Sequence, residues 1–379
     1  MKKILFILPS LGMGGLEKMQ VNLANSLFSR GYDVTVMVLD GVYPLASQLK
    51  EGVKFIYKGL KPLLGRVIPY IRHKFYDDGM WETRASAKKL YKYYVGKEKY
   101  DVEIAFFRGL PIKIISGSTS NAKKIAWVHS DFSKAFGFDN NFKNRQEVFN
   151  AYRSFDSVVC VSNMAKQGFI ETIGDTENLT CIYNFVPDNI VDLAKQSIDT
   201  PNKRHALNAV VVGRLSQEKG QARLIPIIKR LQSDGVDVGL TLVGDGADRE
   251  KIETLVKENG VEDCVSLVGN KINPYPYVGN ADLLVCSSYY EGYNLTVAEA
   301  LILGTPVLST RCAGPVEILS DGKYGLIVDN GDEGLTDGLR LLAKDRNLLA
   351  SYRLKSKDRL DFFSEQKIVG DIESLWEDK

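Results

Sequence analysis

The 379-residue chain lacks any apolar run of about 18 residues, the length that a membrane-spanning helix needs. Cysteine is scarce as well: the five residues are scattered along the chain and form no Cys-x-x-Cys pair. These absences argue against a transmembrane helix, a zinc ribbon and a disulfide framework, and they predict a reduced, cytoplasmic protein. With 44% hydrophobic and 25% charged residues and no low-complexity tract, the chain has the composition of a soluble globular protein.

The dinucleotide-binding motif Gly-x-Gly-x-x-Gly is also absent. The first apolar stretch, "KILFIL" (3–8), is followed by a loop in which Gly12, Gly14 and Gly15 precede Glu17, where that motif requires glycine. A nicotinamide-dependent oxidoreductase is therefore disfavoured. The glycines still allow the backbone to approach a ligand closely, and the amino terminus of the following helix would face negative charge.

Negative charge is scarce in the first 100 residues, which hold 17 Lys and Arg against 8 Asp and Glu, although the net charge of the whole chain is only +2. Within this part, "KPLLGRVIPYIRHKFY" (61–76) interleaves basic with aromatic and aliphatic residues. One interpretation is a patch that docks on anionic lipid, at the inner face of the plasma membrane. The other is a loop and helix packed on its own domain. We predict no nucleic-acid partner.

Short β-branched runs alternate with helix-period segments in two series, which the polar stretch 192–206 separates. The predicted strands are 3–8, 33–39, 53–57, 102–107, 124–128 and 157–162, followed by 208–215, 238–246, 264–269, 281–288 and 306–310. Continuous apolar runs between helices predict parallel strands that are buried on both faces. Two such series predict two doubly wound α/β domains.

Polar residues follow several of these strands, at the carboxyl ends where open α/β sheets bind ligands. His129 follows one strand of the first series, and Arg214 and Lys219 surround a turn that ends at Gly220 in the second. Two cations beside a helix start suit a diphosphate, because Arg offers a planar fork and Lys a point charge. The alternatives are solvated surface charges and an ordinary histidine.

The stretch "EGYNLTVAEA" leaves another strand of the second series. It begins with Glu291, turns through residues 292–294, and starts a helix near Leu295 that places Glu299 about one turn inside. The free amide groups of the first helical turn suit a phosphate, whereas carboxylates accept hydrogen bonds from vicinal hydroxyls. Together these groups indicate a site for a sugar nucleotide.

At this point the sequence resembles a known family, the retaining glycosyltransferases of family 4. The segment "EGYNLTVAE" matches the Glu-x7-Glu motif of this family. Five segments that precede it in the chain match other family motifs in the same order: "WVHSD", "CVSNMAKQGF", "IYNFVP", "VVGRLSQEKG" and "LVGDGADRE". The resemblance implies the GT-B fold, an α/β fold of two facing doubly wound Rossmann-like domains with a C-terminal helix that crosses back to the first. We expect domains at 1–195 and 196–355 and a returning helix at 356–379.

The resemblance also implies residue roles. Those expected to be catalytic are Glu291, His129, Arg214 and Lys219. Those expected to bind the donor are Gly14, Gly15, Asn270, Lys271, Gly292, Tyr293, Asn294, Leu295 and Glu299. Within these sets Glu291 would meet the donor sugar, Glu299 the ribose hydroxyls, and Arg214 with Lys219 the diphosphate.

The sequence departs from the family pattern at two places. Asn294 stands where many relatives have glycine, which puts the contacts to the donor sugar in doubt. "IYNFVP" replaces the commoner Pro-Asn-Gly turn, so a role is carried over to Asn184 only weakly.

The activity that the resemblance implies is that of a hexosyltransferase. It would move a hexose or N-acetylhexosamine from a UDP-sugar, with retention, to a glycan or lipid-linked acceptor of the bacterial cell surface. No cofactor is expected, and no metal, because the chain contains no Asp-x-Asp triplet. The alternatives are a sugar-nucleotide epimerase of the same fold and a non-catalytic partner subunit of a glycosyltransferase complex.

Overall fold

The computed structural model describes residues 1–58, 80–135, 140–197 and 204–377. The chain divides into two compact units. Unit 1 comprises Met1–Tyr183 and Gln366–Lys379, and unit 2 comprises Asn184–Glu365. The observed divisions therefore fall at 183/184 and 365/366, whereas we expected them at 195/196 and 355/356.

The described residues of unit 1 form a parallel sheet in the order β3-β2-β1-β4-β5-β6-β7. Its strands are β1 (Lys3–Leu8), β2 (Asp33–Val38), β3 (Lys54–Tyr57), β4 (Val102–Ala105), β5 (Lys123–Val128), β6 (Ser157–Cys160) and β7 (Leu179–Cys181). The α-helices are Gly15–Ser29, Met80–Arg84, Ala87–Tyr94, Leu110–Ser116, Phe132–Ala135, Arg145–Arg153 and Asn163–Thr172, with a 3-10 helix at Pro44–Gln48.

The described residues of unit 2 form a second parallel sheet, in the order β10-β9-β8-β11-β12-β13. Its strands are β8 (Leu207–Val212), β9 (Val238–Val243), β10 (Val265–Gly269), β11 (Leu283–Cys286), β12 (Val307–Thr310) and β13 (Leu326–Val328). The α-helices are Ile190–Ala194, Leu224–Ser233, Arg249–Asn259, Tyr275–Asn280, Leu295–Ile302, Ala313–Ile318, Asp332–Lys344 and Arg346–Lys355. Shorter 3-10 helices lie at Gln217–Lys219, Gln221–Arg223 and Ser356–Phe363.

Burial explains which strands the sequence predicted. All four residues of β11 are buried, as the continuous apolar run indicated. The two strands that were not predicted, β7 and β13, lie at sheet edges, contain three residues each and are only partly buried. Such short, half-covered strands leave no long apolar run in the sequence.

The C-terminal helix Glu365–Glu373 leads the chain back to unit 1, which confirms the expected return. Within that unit Arg30 forms an ion pair of 2.7 Å with Glu373, and the Lys2 Nζ donates to the carbonyl of Trp376. The indole of Trp376 also meets the ring of Tyr32 edge-on, with centroids 6.0 Å apart. The amino- and carboxyl-terminal segments of the chain are thus packed together.

Among the described residues, no helix combines the length and apolarity needed to cross a bilayer. The basic segment 61–76 lies outside the described residues, so the structure does not test either interpretation of it.

Candidate functional site

The loops after β8 and β11 bring most of the predicted site residues of unit 2 together. These two strands are neighbours in the centre of the sheet, and the strand order runs in opposite directions from them. In open α/β sheets such a switch point leaves a crevice at the carboxyl ends of the strands, where ligands bind. The loop after β8 carries Arg214 and Lys219, and the loop after β11 carries Glu291.

The central contact is an ion pair between Lys219 Nζ and Glu291 Oε1, 2.6 Å apart. The Glu291 side chain is 8% exposed and that of Lys219 is 28% exposed. Burial alone would lower the pKa of Lys219, but the charge of Glu291 and its hydrogen bond outweigh burial and raise that pKa. The pair therefore stays ionised, and it uses only one of the three N–H donors of the ammonium group.

The Glu291 carboxylate is held by three donors on one oxygen. Besides Lys219, the Ser288 Oγ donates to Oε1 at 2.6 Å and the Asn294 Nδ2 at 3.0 Å. Oε2 makes no hydrogen bond to the part of the chain that the structure describes. The carboxylate is thus fixed in direction while one oxygen remains available to a ligand hydroxyl.

The backbone conformation of residue 294 explains why asparagine is tolerated at this turn. Its φ of 77° lies in the left-handed region, which glycine adopts freely and asparagine more readily than most residues. Its side chain also caps the helix Leu295–Ile302, because Oδ1 accepts the amide of Val297 at 3.2 Å. The amides of Leu295 and Thr296 make no hydrogen bond to other described residues and are available to an anion.

Arg214 differs from Lys219 because it is exposed, and its guanidinium makes no hydrogen bond, ion pair or ring contact with described residues. Its backbone is nevertheless fixed by Gln221, which is 1% exposed. The Gln221 Nε2 donates to the Arg214 carbonyl at 2.8 Å, and its Oε1 accepts the Ser216 amide at 3.4 Å. The backbone at Arg214 is thus held in place, while its guanidinium is available to bind a ligand.

Glu299 lies inside the same helix and is 8% exposed. Its Oε1 accepts the hydroxyl of Tyr275 at 3.1 Å, and burial followed by the charge of Glu299 raises the pKa of that hydroxyl. Nearby in sequence, Asn270 and Lys271 are exposed after β10, and Lys271 Nζ lies 5.8 Å from the ring centroid of Tyr277. The helix Tyr275–Asn280 thus links the predicted base-binding loop to the predicted ribose-binding carboxylate.

Arg223 is a site residue that the sequence did not reveal. It is 7% exposed, and its Nε and Nη2 donate to the carbonyls of Ser287 and Ser288. Gly220, with φ of 66°, allows the two loops to approach, because a Cβ there would lie 2.4 Å from the Ser287 carbonyl oxygen. These contacts join residues more than 60 positions apart, so no local pattern could have shown them.

Tyr293 anchors the Glu291–Asn294 turn from its other side. Its hydroxyl donates to the carbonyl of Asn184 at 2.9 Å. A Cβ on Gly314 would lie 2.0 Å from the Tyr293 carbonyl oxygen, so glycine is required at that position. Asn184, to which a role was carried over only weakly, is 1% exposed and its Nδ2 has no hydrogen-bond partner among the described residues.

The predicted site residues of unit 1 also lie at the carboxyl edge of their sheet. Gly14 precedes the helix Gly15–Ser29, and the Glu17 carboxylate folds back so far that a Cβ on Gly14 would lie 2.2 Å from it. His129 follows β5, and its ring centroid lies 4.5 Å from that of Phe106 and 6.0 Å from that of Phe107.

The His129 imidazole is enclosed without a polar partner. Both ring nitrogens are buried and lack hydrogen-bond partners among the described residues. Burial lowers the pKa of His129 to about 3, and the Phe106 backbone acts in the opposite direction. The ring is therefore neutral at physiological pH and offers one donor and one acceptor. In the described ranges, no three His, Cys, Asp or Glu side chains are grouped as a metal site.

Two parallel α/β units, with charged groups and helix amides collected at strand ends, define an enzyme of the GT-B class. Residues 13–189 match the model of Glycosyltransferase Family 4, and residues 208–359 match that of the Glycosyl transferases group 1. The chain belongs to this glycosyltransferase family, and the resemblance found in the motifs is confirmed.

Relatives of the chain include bacterial glycosyltransferases. The lipopolysaccharide core biosynthesis glycosyltransferase LpsE of Rhizobium meliloti is 31% identical over 340 residues, which cover 88% of this chain and 87% of the relative. An N-acetylgalactosaminyltransferase of Campylobacter jejuni, which acts on N-acetylgalactosamine-N,N'-diacetylbacillosaminyl-diphospho-undecaprenol, is 24% identical and covers 98% of both chains. Anabaena HepE, solved with UDP and glucose, shares the fold with a TM-score of 0.76, 18% identity and 99% coverage of both chains.

Proposed function

We propose that this glycosyltransferase moves a hexose or N-acetylhexosamine from a UDP-sugar to a lipid-linked or cell-surface glycan, with retention of the anomeric configuration. The observation that carries the proposal is the Lys219–Glu291 pair at the switch point of unit 2, beside a helix amino terminus. The complex of HepE with UDP and glucose supports the choice of donor, and the names of the relatives support the choice of acceptor.

In this proposal the diphosphate of the donor lies against groups that still have donors to offer. These are the unpartnered guanidinium of Arg214, the two remaining N–H groups of Lys219, and the amides of Leu295 and Thr296. As the nucleotide leaves, negative charge grows on the diphosphate, and donors that are already fixed in place stabilise it without reorganisation. This arrangement supplies from the protein the charge that a metal would supply elsewhere.

Glu299 would accept hydrogen bonds from the ribose hydroxyls, and the loop at Asn270 and Lys271 would meet the base. A carboxylate suits a pair of vicinal hydroxyls and repels a phosphate, so it belongs at the nucleoside end of the donor. Tyr275 orients this carboxylate through its hydroxyl.

The transfer step that we propose is attack on the same face from which the nucleotide leaves. The acceptor oxygen forms a bond to the anomeric carbon, the bond from that carbon to the β-phosphate oxygen breaks, and the acceptor proton passes to a phosphate oxygen. Glu291 then positions the sugar and stabilises positive charge at the anomeric carbon. Its Oε1 accepts three hydrogen bonds, so a covalent glycosyl-enzyme would instead require Oε2 to lie against the anomeric carbon.

We also propose that the donor binds without a metal ion. The motive is that Arg214 and Lys219 stand where a metal would otherwise be needed and that the sequence has no Asp-x-Asp triplet. Calorimetric titration with UDP before and after treatment with EDTA tests this, and we expect equal affinities. Strict dependence of binding on added Mg²⁺ or Mn²⁺ would contradict it.

The proposed place of action is the inner face of the plasma membrane, reached through the basic segment 61–76. At roughly 1 kcal/mol per basic residue near an anionic surface, neutralising Arg66, Arg72 and Lys74 together should release most of the protein from anionic vesicles. Sedimentation with neutral and anionic vesicles checks this expectation. Equal binding of the variant and the wild type to anionic vesicles would instead support a packed segment.

Thermal-shift measurements with UDP-, GDP- and ADP-sugars and with NAD test the donor, because a ligand that binds the folded state raises its melting temperature. We expect the largest shift with a UDP-sugar. Product analysis by NMR then separates the alternatives: a new glycoside with retained configuration supports transfer, whereas a UDP-sugar with an altered sugar identifies an epimerase. Failure of every UDP-sugar to bind would overturn the proposal.

A further inference from the structure

Two large aromatic residues are exposed immediately before Glu291. Tyr289 is 47% exposed and Tyr290 is 37% exposed, although the residues on both sides, Ser288 and Glu291, are buried. Ser288 Oγ and Glu291 Oε1 are 2.6 Å apart, so the two tyrosines lie directly beside the contact that orients the carboxylate. Neither the diphosphate nor the ribose interactions proposed above use these rings.

Tyr289 is held in place from three directions. Its amide donates to the Glu218 carbonyl at 2.8 Å, and its own carbonyl accepts the Asn330 Nδ2 at 2.7 Å. The guanidinium carbon of Arg223 lies 4.1 Å from the ring centroid, within the range of a cation–π contact. The ring therefore has one face against a cation and the other toward solvent, and little conformational entropy remains to be lost when that face binds a ligand.

Arg223 supports both the Tyr289 ring and the main chain before it. It is buried, and its hydrogen bonds go to the carbonyls of Ser287 and Ser288 and to the Asn330 Oδ1 at 2.9 Å. A buried arginine whose Nε and Nη2 hydrogen-bond to the protein acts here as a fixed support for the loop. The same side chain thus fixes the main chain before Tyr289 and supports its ring.

A carboxylate lies next to the second tyrosine. The Glu218 Oε2 and the Tyr290 hydroxyl are 3.5 Å apart, and both are polar groups at the edge of the exposed rings. An aromatic face suits the apolar C–H face of a pyranose, and a carboxylate accepts hydrogen bonds from sugar hydroxyls. The negative charge of Glu218 disfavours a phosphate or an anionic lipid headgroup at the same place.

We propose that Tyr289 stacks against a neutral pyranose ring of the acceptor and that Tyr290 and Glu218 bind its hydroxyls. The inference rests on the proposed glycosyltransfer to a glycan and names the residues that select it. We assign the ring to the acceptor and not to the donor, because the donor sugar and diphosphate are proposed to lie at Glu291, Lys219 and the helix amides, and because the Glu218 carboxylate disfavours a diphosphate beside the tyrosines.

NMR of the full chain with 13C-labelled tyrosine tests the inference, with the Tyr289 signals assigned through Tyr289→Phe. The protein, saturated with UDP, is titrated with maltose, lactose and N,N'-diacetylchitobiose as neutral pyranose probes. We expect at least one of them to shift the Tyr289 ring signals in a saturable manner. Tyr289→Ala should weaken that binding by about five- to tenfold, read on the Tyr290 signals, and Tyr289→Trp should restore it.

Tyr93→Ala is the matched control, because Tyr93 is also exposed and leans on another ring, that of Tyr94, in unit 1. It should leave binding of the probe unchanged. UDP affinity, measured on the same variants, should not change with Tyr289→Ala. If UDP binds but no probe shifts Tyr289, or if Tyr289→Ala weakens UDP and probe alike, the acceptor platform is wrong while the proposed function stands. If UDP does not bind at all, the proposed function fails first.

Discussion

The polar side chains at the strand ends of the two units differ in their hydrogen bonding. In unit 2, Glu291 accepts hydrogen bonds from Lys219, Ser288 and Asn294, so the protein itself fixes the carboxylate before any ligand arrives. In unit 1, the His129 imidazole is buried against aromatic rings, and neither nitrogen has a partner among the described residues. Two regions with the same kind of sheet thus differ in whether their functional groups are satisfied.

This difference teaches which groups are arranged in advance and which await a ligand. A buried polar group without a partner costs free energy, so a protein keeps one only where something else provides the partner or where function needs it. Arg214 shows the same contrast within unit 2, since it is unpartnered and exposed beside the paired Lys219. Paired groups such as Glu291 are oriented before a ligand arrives, whereas Arg214 is a group without a described partner that we expect to meet the donor diphosphate.

The largest expected effect comes from removing the charge of Glu291. Glu291→Gln can keep its three hydrogen-bond donors on the amide oxygen, so we expect normal folding and a fall in transfer rate of about 100-fold, as for loss of one stabilising group in a preorganised site. The transfer rate is measured as UDP release from the UDP-sugar that gives the largest thermal shift. A rate within twofold of wild type would show that the fixed carboxylate is not needed for the reaction.

The paired and unpaired cations should separate in the next experiment. Arg214→Met removes a group with no described protein partner, so UDP affinity should fall about 10- to 100-fold while the melting temperature stays unchanged. Lys219→Met should lower both, because it leaves the buried charge of Glu291 without its partner. Calorimetry with UDP and thermal unfolding give the two readings. Equal losses of stability in both variants would remove the distinction.

The third prediction concerns pH and the unpartnered histidine. The pKa of His129 is about 3 in the folded protein, below its unfolded value, so the unfolded state binds the proton first and stability falls as pH drops below about 6.5. Between about pH 7 and pH 5, the wild type should lose about 2 kcal/mol more than His129→Leu.

Urea unfolding followed by tryptophan fluorescence measures the stability of unit 1, which contains His129, at each pH. All three tryptophans fall within the residue ranges of that unit. Identical pH dependence of the two proteins would mean that the imidazole is not buried without a partner.

The smallest expected effect is at Asn294. Asn294→Gly keeps the left-handed backbone but loses the cap and the hydrogen bond to Glu291, at about 1 kcal/mol, whereas Asn294→Ala adds backbone strain to the same losses, at about 2 kcal/mol. Thermal unfolding followed by circular dichroism ranks the three proteins. Alanine as stable as glycine would mean that the turn does not hold the observed φ of 77°.

Much of the fold could be predicted because buried parallel strands leave continuous apolar runs in the sequence. The edge strands β7 and β13 could not, since their residues are only partly buried. The ends of strands were predicted too long where a loop stays apolar: 102–107 includes Phe106, which leaves the ladder and packs on the ring of His129. Hydrophobicity records burial, and it does not distinguish a strand residue from a buried loop residue.

The candidate site was predictable only where its residues follow strands directly. This position identified Arg214, Lys219 and Glu291. The sequence did not show that Lys219 is paired with Glu291 and that Arg214 has no described partner. Arg223 and Tyr275 were missed because they act on residues that are distant in sequence, through a backbone carbonyl and a carboxylate. Such contacts depend on how strands are ordered in the sheet, which no local spacing encodes.

We propose that unit 2 binds the donor nucleotide with Glu299 at its nucleoside end and Glu291 at the transferred sugar. Calorimetric titration of free UDP into wild type, Glu299→Gln and Glu291→Gln tests this most directly, since free UDP lacks the sugar. We predict a loss of about 1–3 kcal/mol for Glu299→Gln, as for one charge-assisted hydrogen bond, and an unchanged affinity for Glu291→Gln. Equal weakening of UDP binding by both substitutions, or no binding to the wild type, would contradict the account.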